Sequence, residues 1–193
     1  EYRIPTMILG DGTLGQMMEP VDLDAIPEPI YADKPWAARG TDNKRKKNIV
    51  ETLYLEASEL EKKVLEREEK YNVVKENLQR YEAHDIDDAD IIISSYGITS
   101  RVVETAVKSL REEGIKVGVI RPITLWPFPE KIFKTVKPKA FLSVELNAGQ
   151  MIEDIKLACE CSAPVYFCGR TGGIIPTPDE VAEKVKSIMK EVQ

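Results

Sequence analysis

From residue 84 to the C-terminus, short β-branched apolar runs alternate with amphipathic helical stretches, and few folds accommodate that order. ADIIISS (residues 89–95) is a strand by composition. The stretch 99–113 that follows places Val102, Val103, Ala106, Val107 and Leu110 on one helical face and charges on the other, and Gly114 ends it. IKVGVI (115–120) reads as a second strand, a short helix is expected at 129–136, and AFLSVE (140–145) reads as a third strand. A helix through Met151, Ile152 and Ile155 leads to PVYFC (164–168), and the last helix opens with the capping box Thr177-Pro178-Asp179-Glu180. Strand–helix alternation with short links requires crossovers between parallel strands. The fold class is therefore α/β, a mainly parallel sheet of four or five strands with helices on both faces.

The first 83 residues are organised differently. Residues 1–43 read as the tail of a preceding domain and a linker. TMIL (6–9) has the look of a final strand closed by the turn-forming Gly10-Asp11-Gly12, and Pro20, Pro27, Pro29 and Pro35 then favour extended chain. Residues 44–83 read as a helical linker. Val50, Leu53, Ala57, Leu60, Val64, Arg67, Tyr71, Val74, Leu78 and Tyr81 keep spacings of three and four, with no Pro or Gly between them. Each large apolar side chain gains roughly 1.5–3 kcal/mol on burial, so the stripe is expected to pack on its own domain or on a neighbouring chain. Lys44-Arg45-Lys46-Lys47 oppose the dipole of a helix starting there, so the ordered helix should begin later or meet an acidic partner.

Composition narrows the functions. A net charge of −6 argues against nucleic acid or an anionic membrane as partner, and the sequence has no membrane-spanning run or leader, which makes it cytoplasmic by expectation. One histidine excludes a His-rich metal site, and the three cysteines, Cys159, Cys161 and Cys168, are fewer than the four thiolates a cluster normally takes. No metal site and no resident cofactor are expected. The chain also starts without Met inside a structured-looking segment, and we read it as a fragment of a longer polypeptide.

Sites in open α/β sheets gather at the carboxyl ends of strands. SYGITS (95–100) ends the first strand there, and Gly97, Thr99 and Ser100 are candidates for holding an anion at the helix start; the alternative is a turn capped by Thr99 or Ser100. GRTGG (169–173) follows the last strand, with Arg170, Thr171 and Gly172 as weak phosphate-binding candidates, or as a turn. Neither is a G-x-G-x-x-G or a P-loop. Trp126 and Phe128, in the proline-rich LWPFP (125–129), suit interface anchors or packing over the sheet's end. Glu145 offers one strand-end carboxylate without a visible partner, so no catalytic residue is assigned. On residues alone, a flavodoxin-like anion- or nucleotide-binding module remains open, as does a coiled-coil assembly protein.

ILGDGTLGQMMEPV, ADIIISSYGITSRVVETAV, GIKVGVIRPITLWPFP, SVELNAGQM and FCGRTGGIIPTPDEV, in this order, resemble the alpha subunit of 2-oxoacid:ferredoxin oxidoreductases of the 2-oxoisovalerate or 2-oxoglutarate type. The resemblance implies a complex that converts a 2-oxoacid and coenzyme A to acyl-CoA and CO₂ while reducing ferredoxin. Thiamine diphosphate, Mg²⁺ and [4Fe–4S] clusters would serve it, on a beta subunit and on gamma and ferredoxin-like delta subunits. It implies that residues 84–193 form a domain similar to the transketolase C-terminal domain, preceded by the end of a pyrimidine-binding domain.

Gly10-Asp11-Gly12 looks like the Mg²⁺-binding motif of thiamine enzymes, whose metal shell is completed by an Asn pair further on. At the corresponding distance this sequence has Asp42-Asn43, in a charged context. The resemblance assigns the diphosphate motif to the beta subunit and leaves Asp11 in a turn.

Overall fold

The computed structural model of the chain describes residues 2–28 and 33–192, so Pro29 lies outside the described residues. The chain divides into two compact units, one of residues 1–17 with 70–193 and the other of residues 18–69.

In the first unit β1 (Tyr81–His84), β2 (Ile91–Ser95), β3 (Val117–Pro122), β4 (Ala140–Glu145) and β5 (Val165–Gly169) form one sheet in the order β1-β3-β2-β4-β5. β2 runs parallel to β3 and β4, with Ile93 opposite Val119 and Leu142, and β4 runs parallel to β5. β1 is antiparallel to β3, pairing Tyr81 with Pro122. The helices are α2 (Ile98–Glu112), α3 (Glu130–Thr135), α4 (Met151–Ala158) and α5 (Pro178–Glu191). α2 and α5 cover one face, where Val103, Leu110, Val181 and Ile188 meet Ile91, Ile93, Leu142 and Val144. α3 and α4 cover the other, where Phe133, Met151 and Ile155 meet Ile92, Ile120 and Phe141. Both faces of the central strands are thus apolar, as a buried parallel sheet requires.

The capping box at α5 is present as written in the sequence. The Thr177 hydroxyl accepts from the Glu180 amide, and the Glu180 carboxylate accepts from the Thr177 amide. Thr177→Ala should cost about 1 kcal/mol, measurable by urea denaturation, and an unchanged midpoint would show that solvent replaces the cap.

Two expectations are corrected, the bounds of the helix and the strand at residues 6–9. The helix α1 spans Ala57–Asn77 instead of 44–83. Residues 44–56 are non-helical, and Arg45, in the basic run, uses its guanidinium to donate to the Arg39 and Gly40 carbonyls. The stripe ends early as well: the last apolar position, Tyr81, belongs to β1, the edge strand that helical spacing disguised. Within the chain the stripe is poorly covered. Val74 is buried and Tyr71 half-buried, whereas Val50, Leu53 and Leu60 are exposed. The apolar run Thr6–Leu9 forms no strand and is exposed, because no described strand lies alongside to complete its ladder. Among the described residues no helix is long and apolar enough to cross a membrane.

Candidate functional site

β2 and β4 lie side by side at the centre of the sheet, and the chain leaves β2 toward β3 on one side while β4 leads to β5 on the other. Their carboxyl ends flank the switch point where an open α/β sheet usually takes its ligand. Four helices follow parallel strands and start at this edge, and each start offers unpaired N–H groups and the positive end of a dipole.

Three of them, α2, α4 and α5, are capped by the chain's own carboxylates or hydroxyls, whereas α3 has Pro129 at its N-cap and its Lys131 amide donates to the Gln79 side chain. α4 is capped by Glu145, the last residue of β4, which is 1% exposed. Its carboxylate accepts from the amides of Gln150 (3.1 Å), Met151 (2.8 Å) and Ile152 (3.0 Å), and from the Ser143 hydroxyl (2.7 Å). Burial pushes this carboxyl upward, but the donated hydrogen bonds outweigh it and hold the group below the usual range. α5 has its capping box, and Glu180 also pairs with Arg170. α2 has Gly97 at its N-cap, with no acidic residue in its first turn and no cap from its own N-cap side chain. Asp11 supplies the missing acceptor from 87 residues upstream, taking the Ile98 amide on Oδ2 at 2.8 Å and the Leu14 amide on Oδ1 at 2.8 Å.

The sequence candidates fall into place around these caps. Thr99 and Ser100 do not cap α2. Their hydroxyls donate instead, Thr99 to the Tyr96 and Val144 carbonyls and Ser100 to the Gly97 carbonyl. Gly97 suits the turn, because its φ is +64° and a Cβ there would lie 2.6 Å from Asp11 Oδ2, so that the carboxylate would have to shift. Arg170, Thr171 and Gly172 sit in an exposed turn, brought to the start of α5 by the Arg170–Glu180 pair and not to the α2 turn. Tyr96 reaches across the switch point, where its hydroxyl accepts from the Asn147 side chain at 3.2 Å. Asn147 was missed in the sequence; a short-range signal lies in Asn147-Ala148-Gly149, where its Oδ1 accepts from the Gly149 amide. Burial, followed by the charge of Glu145, raises both the Tyr96 hydroxyl and the Asp154 carboxyl. The Ser95 hydroxyl is buried beside this turn without a hydrogen-bond partner.

Trp126 and Phe128 are separated by the fold. Phe128 is 8% exposed and stacks on Phe133 at 5.3 Å, so it belongs to the core. Trp126 is 52% exposed and makes a T-shaped contact with Tyr71, ring centroids 5.4 Å apart. It borders a cleft of about 520 Å³ lined also by Lys75, Glu76, Lys131 and Asp154.

The residues that could ligate a metal or a cluster are otherwise engaged or poorly suited. Both oxygens of Asp11 receive backbone amides, which leaves the Gly10-Asp11-Gly12 turn arranged as a cap and not as a metal ligand. Cys159 is buried, Cys161 is exposed, and burial together with Glu180 pushes the Cys168 thiol up, away from the thiolate that a metal would need.

The architecture is that of a doubly covered α/β domain. It superimposes on a split-gene transketolase (inactive beta4 tetramer) with a TM-score of 0.50 over 58% of this chain and 42% of that one, at 19% identity, a likeness of fold. Residues 89–181 match the family described as pyruvate:ferredoxin oxidoreductase core domain II. The ketoisovalerate oxidoreductase subunit VorB of Methanothermobacter marburgensis is 40% identical over 193 residues, covering 99% of this chain and 54% of that protein. The 2-oxoglutarate synthase subunit KorA of Methanocaldococcus jannaschii is 35% identical over 111 residues, covering 58% of this chain and 30% of that protein. The 2-oxoglutarate:ferredoxin oxidoreductase of Magnetococcus marinus, solved with 2-oxoglutarate, coenzyme A and succinyl-CoA bound, matches with a TM-score of 0.61 at 27% identity, over 72% of this chain and 24% of that one. The chain belongs to the 2-oxoacid:ferredoxin oxidoreductase subunits. It spans about half the length of the curated ketoisovalerate oxidoreductase subunits it matches.

Proposed function

We propose that the chain is the C-terminal portion of the alpha subunit of a thiamine-diphosphate-dependent 2-oxoacid:ferredoxin oxidoreductase. The complex would oxidise a 2-oxoacid with coenzyme A to acyl-CoA and CO₂ in the cytoplasm and pass the electrons to ferredoxin. Thiamine diphosphate, Mg²⁺ and the iron–sulfur clusters belong, in this reading, to the rest of the assembly, above all the beta subunit, with gamma and delta subunits carrying the electrons. This chain contributes assembly surface and frames the site without supplying a reacting group. In this reading residues 84–193, joined by the edge strand Tyr81–His84, are its transketolase C-terminal-like domain, the rest of 44–83 is linker and 1–43 is the end of the preceding domain.

The observation that supports a framing role is the closed carboxyl edge. A nucleotide- or phosphate-binding module needs free helix N-termini or a free cation there. Here the starts of α2, α4 and α5 are capped from within, the Lys131 amide of α3 donates to Gln79, and Arg170 is paired with Glu180. The assembly role is supported by Trp126, a large aromatic anchored on one side by Tyr71 and half-exposed on the other.

Trp126→Ala tests it. The variant chain is expected to melt within about 1 kcal/mol of the native one, since half of the ring is already in water. Its association with the beta subunit should weaken by about tenfold or more, measured by co-purification and titration. A large loss of stability with unchanged assembly would make Trp126 a packing residue and remove the anchor. The similarity to ketoisovalerate oxidoreductase subunits supports a branched 2-oxoacid as substrate, and on this reading the complete complex should reduce ferredoxin faster with 2-oxoisovalerate than with 2-oxoglutarate.

A further inference from the structure

The α2 cap links two parts of the chain that neither helix propensity nor sheet pairing joins. Asp11 lies in the segment before the α/β domain, directly ahead of a short 3-10 helix, Leu14–Gln16. Its carboxylate serves two helix starts at once, with Oδ1 on Leu14 of that 3-10 turn and Oδ2 on Ile98 of α2. The Asp11 carbonyl also accepts from the Gly15 amide at 3.1 Å, which fixes the direction in which the side chain leaves the backbone. On the receiving side, Gly97 adopts φ +64°, ψ −145°, a conformation that L side chains avoid, and it leaves open the space into which Asp11 points. The Tyr96–Ser100 turn so held is tied in turn to the loop after β4, through Asn147 and the Tyr96 hydroxyl, and that loop is held by Glu145.

We propose that Asp11 is the positioning residue of the sheet's carboxyl edge, a distant N-cap that fixes the Tyr96–Ser100 turn and couples the segment before the α/β domain to it. Glycine at position 97 is then part of the same device, since a side chain there would expel the carboxylate. A displacement of residues 2–17 would release the Ile98 amide and, with it, the turn that bears Tyr96. The Gly10-Asp11-Gly12 motif thus has a structural task of its own, and its carboxylate acts on a backbone dipole and not on a metal ion.

Hydrogen exchange of single amides in the full chain tests this. In Asp11→Ala, protection of the Ile98 and Leu14 amides should fall by about tenfold, the size of a typical cap, while Val103, deeper in α2, changes far less. Asp11→Asn should restore part of that protection, because an amide oxygen accepts on one side only. Cleavage of residues 2–17 by a nonspecific protease should rise in Asp11→Ala and fall back in Asp11→Asn. Ile98 exchanging as slowly in Asp11→Ala as in the native chain would overturn the proposal. Should Asp11→Ala fail to fold, Asp11→Asn decides alone: reduced protection at Ile98 or Leu14 supports the cap, and native protection at both overturns it.

Discussion

Glu145→Ala should destabilise the α/β domain by about 3–5 kcal/mol, because four donors lose their acceptor together in a buried place. The amides of Gln150, Met151 and Ile152 would start α4 without a partner, and the Ser143 hydroxyl would be left in the core. For a domain of this size that corresponds to a fall in melting temperature of about 15 °C or more. Glu145→Gln keeps the shape and one acceptor oxygen, and should lose less. The same carboxylate predicts a pH dependence. Its folded-state value is held below the ordinary one, so its contribution is fully present above the unfolded value. That contribution drains away as pH falls through the folded one. Acid unfolding of the native domain should therefore steepen below about pH 4, and Glu145→Gln should lack that component. Thermal melts of the three proteins across this range measure it, and a Glu145→Ala curve lying on the native one would mean that water takes over the cap.

Phe141→Ala should cost about 3–5 kcal/mol for a different reason, the cavity it leaves. Phe141 is fully buried at the centre of β4, and its ring meets Phe133 at 5.8 Å, which in turn stacks on Phe128. Phe133 lies on α3, a helix of six residues, and so short a helix has little stability apart from the face it buries. The loss should appear as exchange throughout α3 as well as a lower urea midpoint. Loss confined to the midpoint, with α3 still protected, would show that Phe133 and Phe128 close over the gap.

What the sequence makes legible is whatever is encoded in local periodicity. The runs at 91–95, 117–122, 140–145 and 165–169 are strands because both sheet faces are apolar, and the α5 capping box is a contact over three residues. β1 escaped notice because Leu78 and Tyr81 continue a three–four spacing that holds equally well for a helix and for a short edge strand half in solvent. The helix start at Ala57 has no strong stop before it, only the unfavourable basic run. The site was less legible than the fold. Glu145 as a strand-end carboxylate could be seen, but its role depends on how tightly the next loop turns back over it. Asp11 and Ile98 are joined by no pattern at all. The one signal was negative: a helix opening with Gly-Ile-Thr-Ser whose hydroxyls, in the fold, face the wrong way to cap it.

The interleaving of residues 2–17 with 70–192 sets where the gene can be cut. A reading frame opened at codon 84 would encode every strand–helix repeat yet arrive without the edge strand that flanks β3. One opened at codon 70 would recover that strand and still lack the acidic residue that starts α2. The smallest piece that keeps both the edge strand and the α2 cap is discontinuous in the sequence. It can be had as a single polypeptide only by joining residue 17 to residue 70 through a designed linker, or by keeping everything in between.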